Sequence, residues 1–383
     1  MSAPRAWILA GVGFGLSALL GWWLLTRPAV PVAGRTPDIS ALAGADPGGF
    51  EAPGSAWEPA LPTDHAAHPG FRSELWTLSG HLVDRAGRTY GFQLSLARIA
   101  LRPQPPERPS AWAANQIYRA HFTLTPEGAD RARVAERLSR DALGLAGSQT
   151  DPPRVWVRDW FIGMGGSGLA LAAAAEGAAL VLDLEPIRAA IAGRDLDLFA
   201  ERPDGSGLNL YLLSRLRAGG HLVLDGETLD VEGTAMLDHA WGAIPAAGGQ
   251  LALNRFGLQL DDGRELLCVL LSRLDGSGTP VPSCALIGAD GRVQSFRRRE
   301  IALEPVGHWR SPRTGTDYPV AWTLDIRPLS LRLRLSPLAE DQELDLSVRL
   351  WSGSVKVSGE QSGTPVTGSG RIDLTAAAPD GPA

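Results

Sequence analysis

The stretch Tyr90–Leu96, YGFQLSL, decides the fold. Tyr90, Phe92, Leu94 and Leu96 alternate with Gly91, Gln93 and Ser95, and a period of two places the apolar set on one face of a β-strand. Outward from this segment the same alternation returns at Leu222 and Leu224, and at Phe256, Leu258 and Leu260. It returns again at Leu329, Leu331, Leu333 and Leu335, and at Leu344, Leu346, Val348 and Leu350. Asp225-Gly226, Asp262-Gly263 and Asp290-Gly291 fall between such runs, where glycine supplies a positive φ at no steric cost. Many short strands joined by tight turns specify an all-β protein of sandwich or barrel type. One helix is predicted, over Ala129–Leu143, with Val134, Leu138 and Ala142 on one side and arginines on the other. A chain of 383 residues exceeds one ordinary core, so two β domains are expected.

The formal net charge of −6 provides no basic footprint for nucleic acid, which needs clustered Lys and Arg. Between Arg5 and Arg27 lie 21 uncharged residues, AWILAGVGFGLSALLGWWLLT, enough as a helix at ~1.5 Å per residue to cross a hydrocarbon core of roughly 30 Å. Residues 1–27 are therefore read as a single-pass membrane anchor, with a cleaved signal peptide, Val32-Ala33-Gly34 at its end, as the competing reading. Both export the rest of the chain, so an inner-membrane protein with extracytoplasmic domains is expected. Residues 28–63, rich in Pro, Gly and Ala, read as a linker, and 376–383 as a disordered tail.

Gly163, Gly165 and Gly168 form a GxGxxG with Asp183 downstream, but the flanking alternation, Leu169 and Leu171 against Leu180, Leu182 and Leu184 around Glu176-Gly177, predicts a hairpin rather than a dinucleotide fingerprint. His65 and His68 lack partners at metal-ligand spacing in the sequence and are read as loop residues; no metal and no cofactor are expected. Cys268 and Cys284 lie symmetrically about Gly276 on successive predicted strands, which allows either a cross-strand disulfide or two buried thiols.

Glu74 and Trp76 share a strand face, as do His239 and Trp241. A buried acid beside an indole could protonate an alkene and stabilise the resulting cation, which makes Asp238, His239, Trp241 and Glu74 candidate catalytic residues. The bland alternative has the tryptophans closing a barrel end while Asp238 and His239 satisfy backbone groups at a strand terminus.

At these residues the chain resembles the carotenoid 1,2-hydratase-like (AttH/CrtC-type) proteins. The resemblance rests on HPGFRSELWTLSGHL at 68–82, TYGFQLSLARIAL at 89–101, YRAHFTLTPEG at 118–128, LDHAWG at 237–242, FGLQLDDGREL at 256–266 and HWRSPRTGTDYPVAW at 308–322. It implies two lipocalin-like domains, placed at 64–236 and 237–375, and a lipophilic small-molecule ligand lined by Trp76, Phe92, Tyr211 and Phe256. It further implies a membrane setting with an ABC-type permease as partner or, alternatively, an isoprenoid- or polyene-modifying hydro-lyase. The family's E-W-W reads Glu74-Leu75-Trp76 here, its D-H-E-W-G reads Asp238-His239-Ala240-Trp241-Gly242, and its tyrosine-rich Y-Y-Y-S reads Leu210-Tyr211-Leu212-Leu213-Ser214. The following strand, taken as Leu266–Leu270, lacks the acid that the resemblance implies there, leaving Asp238 or Glu74 as proton donor.

Overall fold

A computed structural model describes residues 48–53, 57–104, 112–165, 168–198, 208–242, 251–273 and 277–375. The expected anchor, most of the expected linker, the turn residue Gly276 and the tail lie outside them. Among the described residues no helix is long and apolar enough to cross a membrane.

The first sheet comprises β1 (Ser73–Asp84), β2 (Thr89–Ala100), β3 (Gln116–Pro126), β4 (Arg133–Arg140), β5 (Ala146–Thr150), β6 (Pro153–Val157), β7 (Trp160–Gly165), β8 (Gly168–Ala175), β9 (Ala178–Pro186), β10 (Ile191–Ala192), β11 (Leu208–Leu224) and β12 (Glu227–Gly242). The second comprises β13 (Leu251–Leu260), β14 (Glu265–Arg273), β15 (Val281–Ile287), β16 (Val293–Arg297), β17 (Ile301–Arg310), β18 (Asp317–Ile326), β19 (Leu331–Pro337), β20 (Glu343–Asp345), β21 (Arg349–Gln361) and β22 (Thr364–Thr375). The first follows the order β4-β3-β2-β1-β12-β11-β9-β8-β7-β6-β5, with β10 on β11; the second follows β16-β15-β14-β13-β22-β21-β19-β18-β17, with β20 on β21. The chain is thus nearly all β, with a nearly closed barrel followed by a half-barrel, both lipocalin-like.

The inward sets are those picked out by the alternation: Tyr90, Phe92, Leu94 and Leu96 enter one core, and Phe256, Leu258 and Leu260 enter the other. The expected hairpin is formed by β8 and β9, paired from Leu169↔Leu184 to Ala175↔Ala178, with Asp183 exposed on β9. Asp225 and Gly226 both take positive φ, 49° and 88°, at the turn joining β11 to β12. Leu329 ends a 3-10 turn rather than starting a strand, and Leu346 and Val348 lie between β20 and β21.

Two expectations need correction. The helix expected over Ala129–Leu143 is replaced by β4, an edge strand paired with β3 from Leu124↔Arg133 to Ile117↔Arg140. A ladder of backbone bonds on a preformed sheet outweighs the weak intrinsic preference of so short a segment for helix. The domain boundary expected between residues 236 and 237 falls inside β12, which pairs with β1 from Asp84↔Val231 to Ser73↔Gly242.

A polar seam joins the barrels: Arg371 donates to Thr123 Oγ1 at 2.9 Å and Ser352 Oγ donates to Gln93 Oε1 at 2.9 Å. Buried Glu265 of β14 accepts from Arg215 of β11 at 2.5 Å and pairs with Arg188. Cys268 and Cys284, opposite each other on β14 and β15, are joined in a disulfide inside the second core.

Candidate active site

The pairing of β1 with β12 and of β12 with β11 sets Trp76 beside His239 and His239 beside Tyr211. Alternation turns Glu74 and Trp76 inward together with His239, Trp241 and Tyr211, and all five are buried. The segment before β1 folds back over this end of the barrel, bringing Trp57, Asp64, His65 and His68 onto the same cluster.

Glu74 is the hub. Its Oε1 accepts from His239 Nε2 at 2.8 Å and from His68 Nδ1 at 2.7 Å, and its Oε2 accepts from Arg98 Nε at 2.9 Å and from the His68 backbone N–H at 2.9 Å. Arg98, itself fully buried, also donates to the carbonyls of His68 at 2.7 Å and Phe71 at 2.9 Å. Burial alone would raise the Glu74 pKa, but the hydrogen bonds from His239 and His68, with the Arg98 charge, bring it down to about 2. At neutral pH the group is a carboxylate balanced by one guanidinium.

Burial lowers the pKa of His239 despite Glu74, and burial with the nearby His239 lowers that of His65 to about 4. Burial, with Asp64 and Glu74, holds the Tyr211 phenol well above its ordinary value. Neutral His239 directs its Nε2–H to Glu74, which leaves Nδ1 as an acceptor facing the Tyr211 hydroxyl at 3.3 Å. That hydroxyl is also hydrogen-bonded to His65 Nδ1. A proton line therefore runs from His65 through Tyr211 and His239 to Glu74.

The walls are aromatic. His68 stacks on Trp241 with centroids 3.7 Å apart, Trp76 stacks on His239 at 4.5 Å, and Trp57 meets Trp241 edge-on at 4.6 Å. The Trp241 indole N–H is buried with no hydrogen-bond partner among the described residues.

His68, Glu74 and His239 present ligand-type atoms within 4.8 Å of one another. The arrangement suits a hydrogen-bonded cluster better than a cation, because each of these atoms is already partnered and Arg98 places a positive charge on the same carboxylate.

Of the residues singled out in the sequence, Glu74, Trp76, Tyr211, His239 and Trp241 come together. Asp238 does not. It faces outward from β12 and pairs with Arg255 of β13 at 2.7 Å, because adjacent strand residues point to opposite faces. Phe92 packs in the first core away from the cluster, and Phe256 lies in the second core edge-on to Trp322 at 5.1 Å. Residues 266–270 are not on the strand after β12 but on β14, around Cys268. Trp57, Asp64 and Arg98, which no local pattern in the sequence marks, complete the cluster. His65 ends a short 3-10 turn and His68 lies in the loop after it, and this segment, expected from the sequence to be plain loop, closes the site.

A family model described as AttH-like matches residues 52–377. The chain belongs to the AttH-like family. A crystal structure of a protein assigned as AttH from Nitrosomonas europaea superposes on this AttH-like chain with a TM-score of 0.74 at 24% identity, covering 86% of this chain and 100% of that one. Kievitone hydratase from Nectria haematococca superposes with a TM-score of 0.59 at 15% identity, covering 86% and 96% of the two chains. CghA superposes with a TM-score of 0.51 at 14% identity, covering 82% and 90%. At these identities the likeness is one of fold. No curated protein matches the AttH-like sequence.

Proposed function

We propose that this AttH-like protein is an acid–base enzyme of the hydratase type, which adds water to, or removes it from, a conjugated apolar substrate of isoprenoid or polyene class. The observation that carries the reading is the Tyr211–His239–Glu74 line, buried and walled by Trp76 and Trp241. Buried proton-transfer groups with displaced pKa values are typical of catalytic sites. A hydratase, kievitone hydratase, shares the fold.

In a hydration the site delivers one proton to carbon and takes one from water. Tyr211 supplies the O–H and a neutral imidazole, His65 or His239, takes the proton from water, after which the line returns the proton to the phenol. Glu74 is held ionised and Tyr211 is a weak acid, so an isolated alkene is poorly served. A double bond conjugated to an electron-withdrawing group, whose developing negative charge a phenol and the free Trp241 N–H can receive, fits better. Trp57 lies against Trp241 and His65 against Tyr211, so the segment that carries them covers the phenol.

The test is incubation of the full chain with a panel of conjugated apolar alkenes, with mass spectrometry reading the gain or loss of one water. Tyr211→Phe is expected to lower turnover by about 10²–10⁴-fold. Turnover that survives unchanged in both Tyr211→Phe and His239→Ala removes this line from the mechanism.

A further inference from the structure

The described residues that follow β2 and precede β3, and the loop that follows β4, lie at the end of the barrel where the Glu74 cluster sits. They carry Leu101, Trp112, Leu143 and Leu145, which are 38%, 59%, 53% and 44% exposed. The loops are tied together. The Leu101 N–H donates to Asn115 O at 2.8 Å, and the backbone N–H groups of Asn115 and Gln116 donate to Asp141 Oδ1, each at 3.1 Å. Leu143 is held at a φ of 56°, a left-handed conformation that costs free energy for a side chain of its size. A leucine both strained and exposed to water is explained by a partner that covers it.

Exposed arginines flank these side chains: Arg102 follows Leu101, Arg158 donates its backbone N–H to Leu145 O at 2.6 Å, and the Arg140 guanidinium lies 5.8 Å from the centre of the Trp112 ring. The neighbouring acids are engaged, Asp141 with backbone N–H groups and Asp159 with Arg137. Tryptophan, leucine and arginine on one rim match a bilayer interface, with the apolar parts below the headgroups and the guanidiniums among them.

The position of the chain's first described residues points to the same occupant. Gly49 lies against Pro103, the Phe50 ring lies 5.9 Å from the Arg72 guanidinium, and the Glu51 N–H donates to Gly70 O at 3.0 Å. The chain therefore enters beside the Leu101–Pro103 loop. In the sequence, residues 27–47 separate this point from the uncharged run 6–26.

We infer that this rim is a membrane-docking face, seated on the headgroups of an anionic bilayer by Leu101, Trp112, Leu143 and Leu145 with Arg102, Arg140 and Arg158. It places the mouth of the first barrel against the bilayer, so an apolar molecule passes between them without crossing bulk water. The inference does not depend on the reaction proposed above.

Because the two cysteines are joined in a disulfide, a single added cysteine can be labelled selectively. The full chain, carrying an environment-sensitive fluorophore at Leu143→Cys or at Leu145→Cys, is reconstituted into vesicles of phosphatidylglycerol and phosphatidylethanolamine. Blue-shifted emission, quenched by lipids with brominated acyl chains, is expected at both positions. Neither is expected at Ala86→Cys, in the turn at the opposite end of the barrel. Replacing Arg140 with Gln, or the anionic lipid with phosphatidylcholine, is expected to reduce the quenching. Emission at positions 143 and 145 equal to that at 86 overturns the inference. Blue-shifted emission that brominated lipids leave unquenched overturns it as well, and assigns the rim to a protein partner.

Discussion

Glu74 of the first barrel and Glu343 of the second are both buried, and the two are treated differently. Glu343 of the second barrel accepts from Ser311 Oγ at 2.5 Å, Thr314 Oγ1 at 2.7 Å, the Tyr318 hydroxyl at 3.0 Å and Arg313 at 3.3 Å. Three of these four partners are hydroxyls and the fourth is a partly exposed arginine. The result is a staple that ties the turn between β17 and β18 to β20. Glu74 of the first barrel is held instead by two imidazoles and a buried guanidinium, beneath indole rings. Imidazoles have an ordinary pKa much nearer neutral pH than hydroxyls do, so a buried carboxylate becomes a candidate site through its neighbours. Burial alone does not make one.

The largest effect expected from breaking this comparison is on stability. Glu74→Gln leaves the Arg98 charge buried and unbalanced, which should cost about 3–5 kcal/mol, read by denaturant unfolding. A cost no larger than that of Glu343→Gln would erase the distinction between the two glutamates. Next comes the disulfide of the second barrel, whose cysteines are 16 residues apart in sequence. Replacing both with serine should cost about 3 kcal/mol by the loop-closure estimate, with hydrogen exchange rising first in β14 and β15 rather than around Glu74. Glu343→Gln should cost about 1–3 kcal/mol, the range for leaving buried hydrogen-bonding groups unsatisfied, without changing turnover.

The mildest perturbation is pH. Burial lowers the pKa of His65 to about 4, and burial with the nearby Arg371 lowers that of His81 to about 3. The fold therefore favours the neutral rings, whereas the unfolded chain takes up protons first as the pH drops. Stability from these groups is complete above about 6.5, the ordinary histidine value, and is lost as the pH falls through the folded values. The melting temperature should decline from pH 6.5 toward 4, and less steeply in His81→Gln. A flat profile would show that these rings are not held neutral.

Much of the fold was legible because alternation is a local property. The alternating run Tyr90–Leu96 lies within β2, and the Asp-Gly turn at 225–226 lies where the dipeptide predicts. The helix expected at 129–143 failed because an edge strand with one partner need not show a clean period of two. Every residue of β4 from Arg133 to Ser139 is half-buried, so its arginines and apolar residues imitate a helical face. In the candidate site, the pairs Glu74 with Trp76 and His239 with Trp241 were legible for the same local reason. The placement of Asp238 with them was not consistent with that rule, since a residue adjacent to His239 must point the other way.

By itself, the sequence determined that the chain is β, which residues share a strand face, and which short stretches resemble the AttH-like family. Tertiary structure decided which faces meet. Glu74 and His239 are 165 residues apart and come within 2.8 Å only because β12 returns to pair with β1. His65, His68 and Arg98 join them through a folded-back loop and a neighbouring strand. Alternation says which way a side chain points but carries no information about which strand lies opposite; barrel closure supplies that, and with it the proton line.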